Sequence, residues 1–218
     1  MENIFIKSKK FQQLIQMYKK MASLGYNRSS GEYIPSEKVY SDLEPEKHKE
    51  FLKDIFKKFE IKTILDYGSG KGDWNSIIDG KQTFKNFLGL KEVFQYEPAL
   101  NKDEKTKQDC ALSFDVLEHV FISDVPYVIY DLFLNAKKLV VLNVACYKAA
   151  ALLPNGENAH VTVRHPLWWK GCMDTVAVNF PKIAYVLIAS TSYTRSTIFP
   201  PTSHNEQIEN ANYVALEK

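Results

Sequence analysis

Thiols are scarce in this chain of 218 residues: Cys110, Cys146 and Cys172 are odd in number, far apart and without a C-x-x-C pair. Two of them, Cys110 and Cys146, sit inside apolar strand patterns, where a free thiol behaves as a small hydrophobe, and the set fits a reducing compartment. An excess of either charge is missing too. The chain carries 28 Lys and Arg against 26 Asp and Glu, a net +2, with lysines interspersed among acids rather than clustered. That pattern speaks against a protein devoted to nucleic acid, so nucleic acid is not expected as a partner. No apolar run reaches membrane-spanning length, and Met1 to Lys7 lack the long apolar stretch of a signal peptide. No internal repeat is visible. These absences lead to the expectation of a soluble, single-domain cytoplasmic protein with no membrane association. They leave its oligomeric state open.

What is present suffices for one substantial core, since 45% of the residues are hydrophobic. Helical spacing puts Phe11, Leu14, Ile15, Tyr18 and Met21 on one face across residues 8–23, with Gly25 as a stop. Residues 26–43 are polar, contain Gly31 and Pro35, and read as an irregular connection. A helix pattern returns after Pro45 with Phe51, Leu52, Ile55, Phe56 and Phe59 on one face. The expected organisation is an N-terminal helical cap over 1–44, the main domain over 45–200, and a polar, fraying tail over 201–218.

The run Ile61 to Leu65 has the length and β-branched content of a buried strand. It ends in Asp66 and breaks into Gly68-x-Gly70-x-Gly72, which is not the G-x-G-x-x-G spacing of dinucleotide-binding proteins. Such glycines permit a tight turn and close backbone approach to a ligand. The spacing then predicts a helix over about 73–79, strands over 92–97 and 110–115, a helix over 124–136 and a strand over 138–145. Glu97 ends the second strand, where a carboxylate can accept hydrogen bonds from both hydroxyls of a ribose. A parallel crossover needs about a dozen residues besides its strands, and the stretch between Glu97 and Cys110 is too short for one. The third strand and its flanking helices are therefore expected to be shortened or missing, with 98–108 an exposed loop. Further on, Ala149 to Ala151 suggest a helical turn, Pro154-Asn155-Gly156 a loop and His165-Pro166 a helix start. A late strand follows over 183–188, with 193–199 as an antiparallel partner.

Three segments, Asp66-x-Gly68-x-Gly70-x-Gly72, then Glu97, then Asp115-Val116-Leu117-Glu118-His119-Val120, occur in the order found in class I S-adenosylmethionine (SAM)-dependent methyltransferases. Over roughly residues 45–190 the chain resembles that family, in the subgroup with a D-V-L-E-H-V segment after the fourth strand. The resemblance implies an α/β fold with a Rossmann-like, mostly parallel sheet flanked by helices. It implies SAM as cofactor, held by Asp66, Gly68, Ser69, Gly70, Glu97 and Asp115, and methylation of oxygen on a small-molecule acceptor. A branched side chain at Gly70 is expected to intrude on the ligand's space. In the family an acidic residue after the third strand contacts adenine, and Asp103 or Asp109 are the candidates to replace it here. The N-terminal helices are expected either to cover the cofactor or substrate or to cover a sheet edge.

The acceptor side is carried by His160 and His119, the candidate catalytic residues. Asp115, Glu118 and His119 fall at i, i+3 and i+4, on one face of a turn. With His160 they form a candidate set of divalent-metal ligands, for Mg²⁺ or Mn²⁺. The pattern is similar to Glu-x-x-Glu-His in quinone-biosynthesis O-methyltransferases and in RNA 3′-end 2′-O-methyltransferases, families that bind a divalent ion there. Without a metal, His160 is the candidate base, oriented by Glu118 or Glu157. Of Trp168 and Trp169, adjacent on a helix, one is expected in the core and one as a pocket wall. Arg164 and His165 are candidates for binding an acidic group. The alternatives to a small-molecule enzyme are a metal-dependent 2′-O-methyltransferase acting on RNA and a non-catalytic SAM-binding module.

Overall fold

Alternation along the strands decides the layering. In β1 (Thr63–Tyr67), Leu65 and Tyr67 join the apolar cluster on one face of the sheet, while Ile64 joins the cluster on the other. The same period of two recurs downstream, with Val140, Leu142 and Val144 opposed to Leu139 and Val141. A sheet buried on both faces needs helices on both. The first face is covered by Phe11 from α1 (Lys9–Leu24), by α4 (Val125–Leu134) and by Trp169 and Met173 from α5 (Pro166–Ala177). The second is covered by Leu52, Ile55 and Phe56 from α2 (Lys49–Lys58) and by Phe84 from α3 (Phe84–Phe87).

The computed structural model describes residues 4–202 and, as backbone, 214–217. The remaining strands are β2 (Glu92–Glu97), β3 (Lys102–Asp103), β4 (Gln108–Phe114), β5 (Ala136–Ala145), β6 (Ala184–Ser192), β7 (Arg195–Thr202) and β8 (Val214–Glu217). They lie in the order β8-β7-β6-β5-β4-β1-β2-β3. Strands β2, β1, β4, β5 and β6 are parallel, and β3, β7 and β8 run antiparallel to their neighbours. The chain is thus α/β with a mostly parallel sheet flanked by helices, compatible with a Rossmann-like fold. Its chain order reverses between β1 and β4, the place where open α/β sheets bind ligands.

Between Glu97 and Gln108 there is a single 3₁₀ turn, Pro98–Leu100, and the two-residue β3. No helix-strand-helix unit intervenes, as the length of that stretch requires. Three expectations are corrected. Residues 73–79 form no helix: the Asp73 carboxylate takes the Asn75 amide, and Ile77–Ile78 pairs with Gln82–Thr83 in a small hairpin. Its turn places Asp79 at φ 52° and Gly80 at φ 64°, the positive values that an Asp-Gly pair supplies to a type I′ turn. Residues 149–151 form no helical turn either, because the cap claims their backbone. Ala150 O accepts from Ser29 N, and Ala151 bridges Arg28. The fraying tail of 201–218 is corrected at Val214–Glu217, which pair with β7; residues 203–213 and 218 lie outside the described residues.

The described part of the N-terminal cap folds over the carboxyl ends of the strands. Leu14 and Met21 from α1 pack with Ile34, Val39, Leu153 and Ala159 in a third apolar cluster. Polar ties hold it down. Ser8 Oγ donates to Asp124 Oδ2 (2.7 Å), and Lys71 N donates to Tyr40 O (2.8 Å). Among the described residues, no helix is long and apolar enough to cross a membrane.

Candidate active site

A cavity of about 410 Å³ lies over the carboxyl ends of β1, β2 and β4, beneath the cap. Small-molecule sites occupy about 300–1,000 Å³, so its size suits a metabolite-scale ligand. All six residues expected to bind cofactor, Asp66, Gly68, Ser69, Gly70, Glu97 and Asp115, line it, and so do His119 and His160.

At one end the glycine loop is locked by hydrogen bonds. Gly68 N and Ser69 N both donate to Tyr96 O, at 2.7 and 3.3 Å. Gly70 N donates to Glu97 Oε2 (3.2 Å), while Ala99 N donates to Glu97 Oε1 (2.9 Å). Each Glu97 oxygen therefore accepts one bond and keeps a second lone pair for a ligand hydroxyl. Burial raises the Glu97 carboxyl above its ordinary range, and the two amides oppose that rise. Ser69 Oγ is buried in this wall with no hydrogen-bond partner. An orphaned buried hydroxyl costs about 1–3 kcal/mol, a debt that a polar ligand atom would remove.

Asp66 turns away from the loop to accept from Trp74 Nε1 (2.8 Å). Burial pushes its carboxyl up to about 7, against the Trp74 hydrogen bond. Gly68 sits at φ 85°, and an added Cβ would lie 2.2 Å from Val116 Cγ2. At Gly70, φ is 52° and an added Cβ would lie 2.8 Å from the Tyr40 carbonyl oxygen. Any side chain at Gly70 would thus meet the cap backbone at its Cβ.

At the other end, Asp115, His119 and His160 come together, one ligand atom of each lying within 4.8 Å of the others. Asp115 follows β4 with φ 56°, a left-handed conformation that Asp tolerates. Leu117–His119 then forms a 3₁₀ turn that aims Glu118 inward and His119 toward the cap. His119 Nδ1 lies 2.8 Å from Tyr18 Oη and 3.0 Å from Ala159 O. His160 Nδ1 meets the Tyr147 carbonyl. A carbonyl only accepts, so each Nδ1 carries the proton and each Nε2 keeps the lone pair. Burial first, and His160 beside it, push His119 down to about 4, so the ring is neutral at pH 7.

Glu118 stands outside this group. It is fully buried, Oε1 accepts from Ala145 N (2.6 Å), and burial together with nearby Asp115 raises its carboxyl well above the ordinary range. Its Oε2 is buried with no hydrogen-bond partner. Burial works to raise Asp115, but its neighbours, His119 foremost, outweigh it and hold the carboxylate below its usual range. Glu157 is exposed and engaged with Asn155, so His160 is oriented by Tyr147 O and by Asn158 Oδ1 on its amide.

Several expected residues lie elsewhere. Asp109 accepts from the Lys62 and Thr63 amides at the opposite end of the sheet, and Asp103 is exposed on β3. Neither Asp103 nor Asp109 reaches the cavity. Trp169 is core, whereas Trp168 lies under Arg164 instead of forming a pocket wall. His165 caps α5 by accepting from Leu167 N. Conversely, Tyr18, Tyr40, Tyr147 and Tyr193 line the cavity without having been expected there. Only the helical stripe that carries Tyr18 hinted at any of them. Comparison with protein-family models, curated proteins and solved structures finds no match for this chain.

Proposed function

We propose that the protein is a SAM-dependent methyltransferase acting on oxygen of a small molecule. The observation that carries this reading is one cavity joining two unlike ends: a glycine loop with Glu97 and the orphaned Ser69 hydroxyl, and the carboxylate–imidazole group Asp115–His119–His160. The first end fits the cofactor. Glu97 offers lone pairs to ribose hydroxyls, and Ser69 Oγ offers a hydrogen bond to the amino-acid part, the loop amides being already spent on Tyr96 O and Glu97. SAM, when bound, supplies an electrophilic methyl: the acceptor oxygen's lone pair forms the O–C bond as the S–C pair leaves on sulfur, which becomes a neutral thioether. The chain's own task is to hold the acceptor in line and ease loss of its hydroxyl proton. The cap supports this by shielding the site from water through Leu14, Met21 and Tyr40.

The acceptor is sought by incubating the purified protein with methyl-labelled SAM and a metabolite extract. Label transferred to a small molecule through an ether or ester oxygen is the expected result. Label transferred to nitrogen or carbon, or no transfer by a protein that binds SAM, would contradict it.

A further inference from the structure

The acceptor end has the composition of a metal site different from the one the sequence suggests. Two imidazoles and one carboxylate converge, and this is the one such group of three among the described residues. The rings of His119 and His160 stand nearly perpendicular, at 82°, with centroids 4.7 Å apart. Both Nδ1–H groups are held by backbone carbonyls, Ala159 O and Tyr147 O. A backbone carbonyl on the far nitrogen is the usual outer support of a metal-binding histidine, fixing tautomer and ring orientation before the ion arrives. Glu118, between Asp115 and His119 in the sequence, is turned inward and anchored on Ala145 N.

We propose that Asp115, His119 and His160 bind one zinc-class divalent ion, in preference to Mg²⁺, with the remaining coordination position open to the cavity. This inference rests on the acceptor-end assignment made above. Its chemistry follows from the donor set. Mg²⁺ prefers oxygen donors and retained water, whereas neutral imidazole suits Zn²⁺ and its neighbours. Glu118 is not a member of the group, because it is fully buried and its Oε1 is taken by Ala145 N. Three protein ligands with a vacant fourth position are the arrangement of catalytic rather than structural zinc. Ligand atoms about 2.1 Å from a tetrahedral ion stand about 3.4 Å apart, so the group closes by little more than 1 Å on binding. A hydroxyl entering the open position gives up its proton to water more readily, because the ion carries the oxygen's charge.

The test uses the full chain, stripped of metal by a chelator and titrated with Co²⁺ as the visible probe. One equivalent should give the intense visible bands of a four- or five-coordinate site. Zn²⁺ should abolish these bands stoichiometrically, and Mg²⁺ in large excess should leave them intact. Asp115→Asn, which suits the same left-handed backbone, and His160→Ala should each weaken Co²⁺ binding about a hundredfold or more, beyond the usual cost of losing an outer support. Glu118→Gln can still accept from Ala145 N, and should stay within about tenfold of wild type. Absence of the bands, displacement by Mg²⁺, or unchanged affinity in folded Asp115→Asn would overturn the proposal. So would loss of the site in Glu118→Gln with its circular dichroism intact, since that makes Glu118 a ligand. SAM affinity, measured separately on the metal-free protein, reports on the methyltransferase reading alone, so the two can fail independently.

Discussion

Tyr18 of α1 and His119 of the turn after β4 meet through Tyr18 Oη and His119 Nδ1, 2.8 Å apart, and both groups contact the carbonyl of Ala159. One hydrogen-bonded triangle thus ties the cap, the sheet and the loop that carries His160. The cap is therefore part of the site's construction as well as its cover. Tyr18→Phe keeps the ring packed and removes only the hydroxyl. Losing an outer support of a functional histidine lowers activity or metal affinity about tenfold to a hundredfold. The expected outcome is a turnover loss in that range with SAM affinity within about twofold, read by steady-state kinetics and calorimetry. Equal losses in both would show that Tyr18 acts through the cap's overall stability.

Ser69→Ala separates folding from binding. Ser69 Oγ has no partner in the protein, so its removal should leave the melting temperature unchanged or raise it. A hydrogen bond lost to a ligand costs about 0.5–1.5 kcal/mol, roughly twofold to twelvefold in affinity. Weaker SAM binding with undiminished stability is expected by calorimetry and thermal melts. The reverse pattern would move Ser69 from the ligand site to the scaffold.

Asp66 makes stability depend on pH. Its folded-state value, about 7, lies above the unfolded 3.8. Between those values the folded chain holds a proton that the unfolded chain has released, so this group's contribution falls as pH rises and is least favourable above about 7. Asp66→Asn keeps an acceptor for Trp74 Nε1 and cannot ionise. The variant should match wild type near pH 4 and become progressively more stable toward pH 8, in denaturant melts at each pH. A stability difference independent of pH would place Asp66 in solvent contact.

Gly70→Ala reports on the contact between the glycine loop and the cap. The positive φ and the approach to Tyr40 O together should cost about 1–3 kcal/mol. They should also loosen the cap, seen as faster proteolysis within residues 26–43. Unchanged stability and cleavage would mean that the loop and cap are not in register as described.

The sheet was readable because its parallel strands are short, largely apolar runs, three of which stop at an acid: Leu65-Asp66, Tyr96-Glu97 and Phe114-Asp115. The missing third unit was readable from chain length alone. The failures share a cause: long-range partners override local pattern. Trp74 reads as the start of a helix until its indole is known to reach Asp66, eight residues back. The Asp79-Gly80 turn signal was present and competed with an apparent helix. Glu118 looks like a ligand at i+3, and only the Ala145 amide shows it turned inward. Nothing local in residues 8–23 could announce that Tyr18 meets a histidine 101 positions away.

The central claim, that the cavity is a SAM site, is tested most directly by isothermal titration of SAM and of S-adenosylhomocysteine into the metal-free chain. The account requires one site per chain, with affinity in the micromolar range typical of cofactor-using enzymes. The site should be shared competitively by the two compounds and weakened in Ser69→Ala without loss of fold. Absence of binding by either compound at millimolar concentration, with the protein folded by circular dichroism, would contradict it.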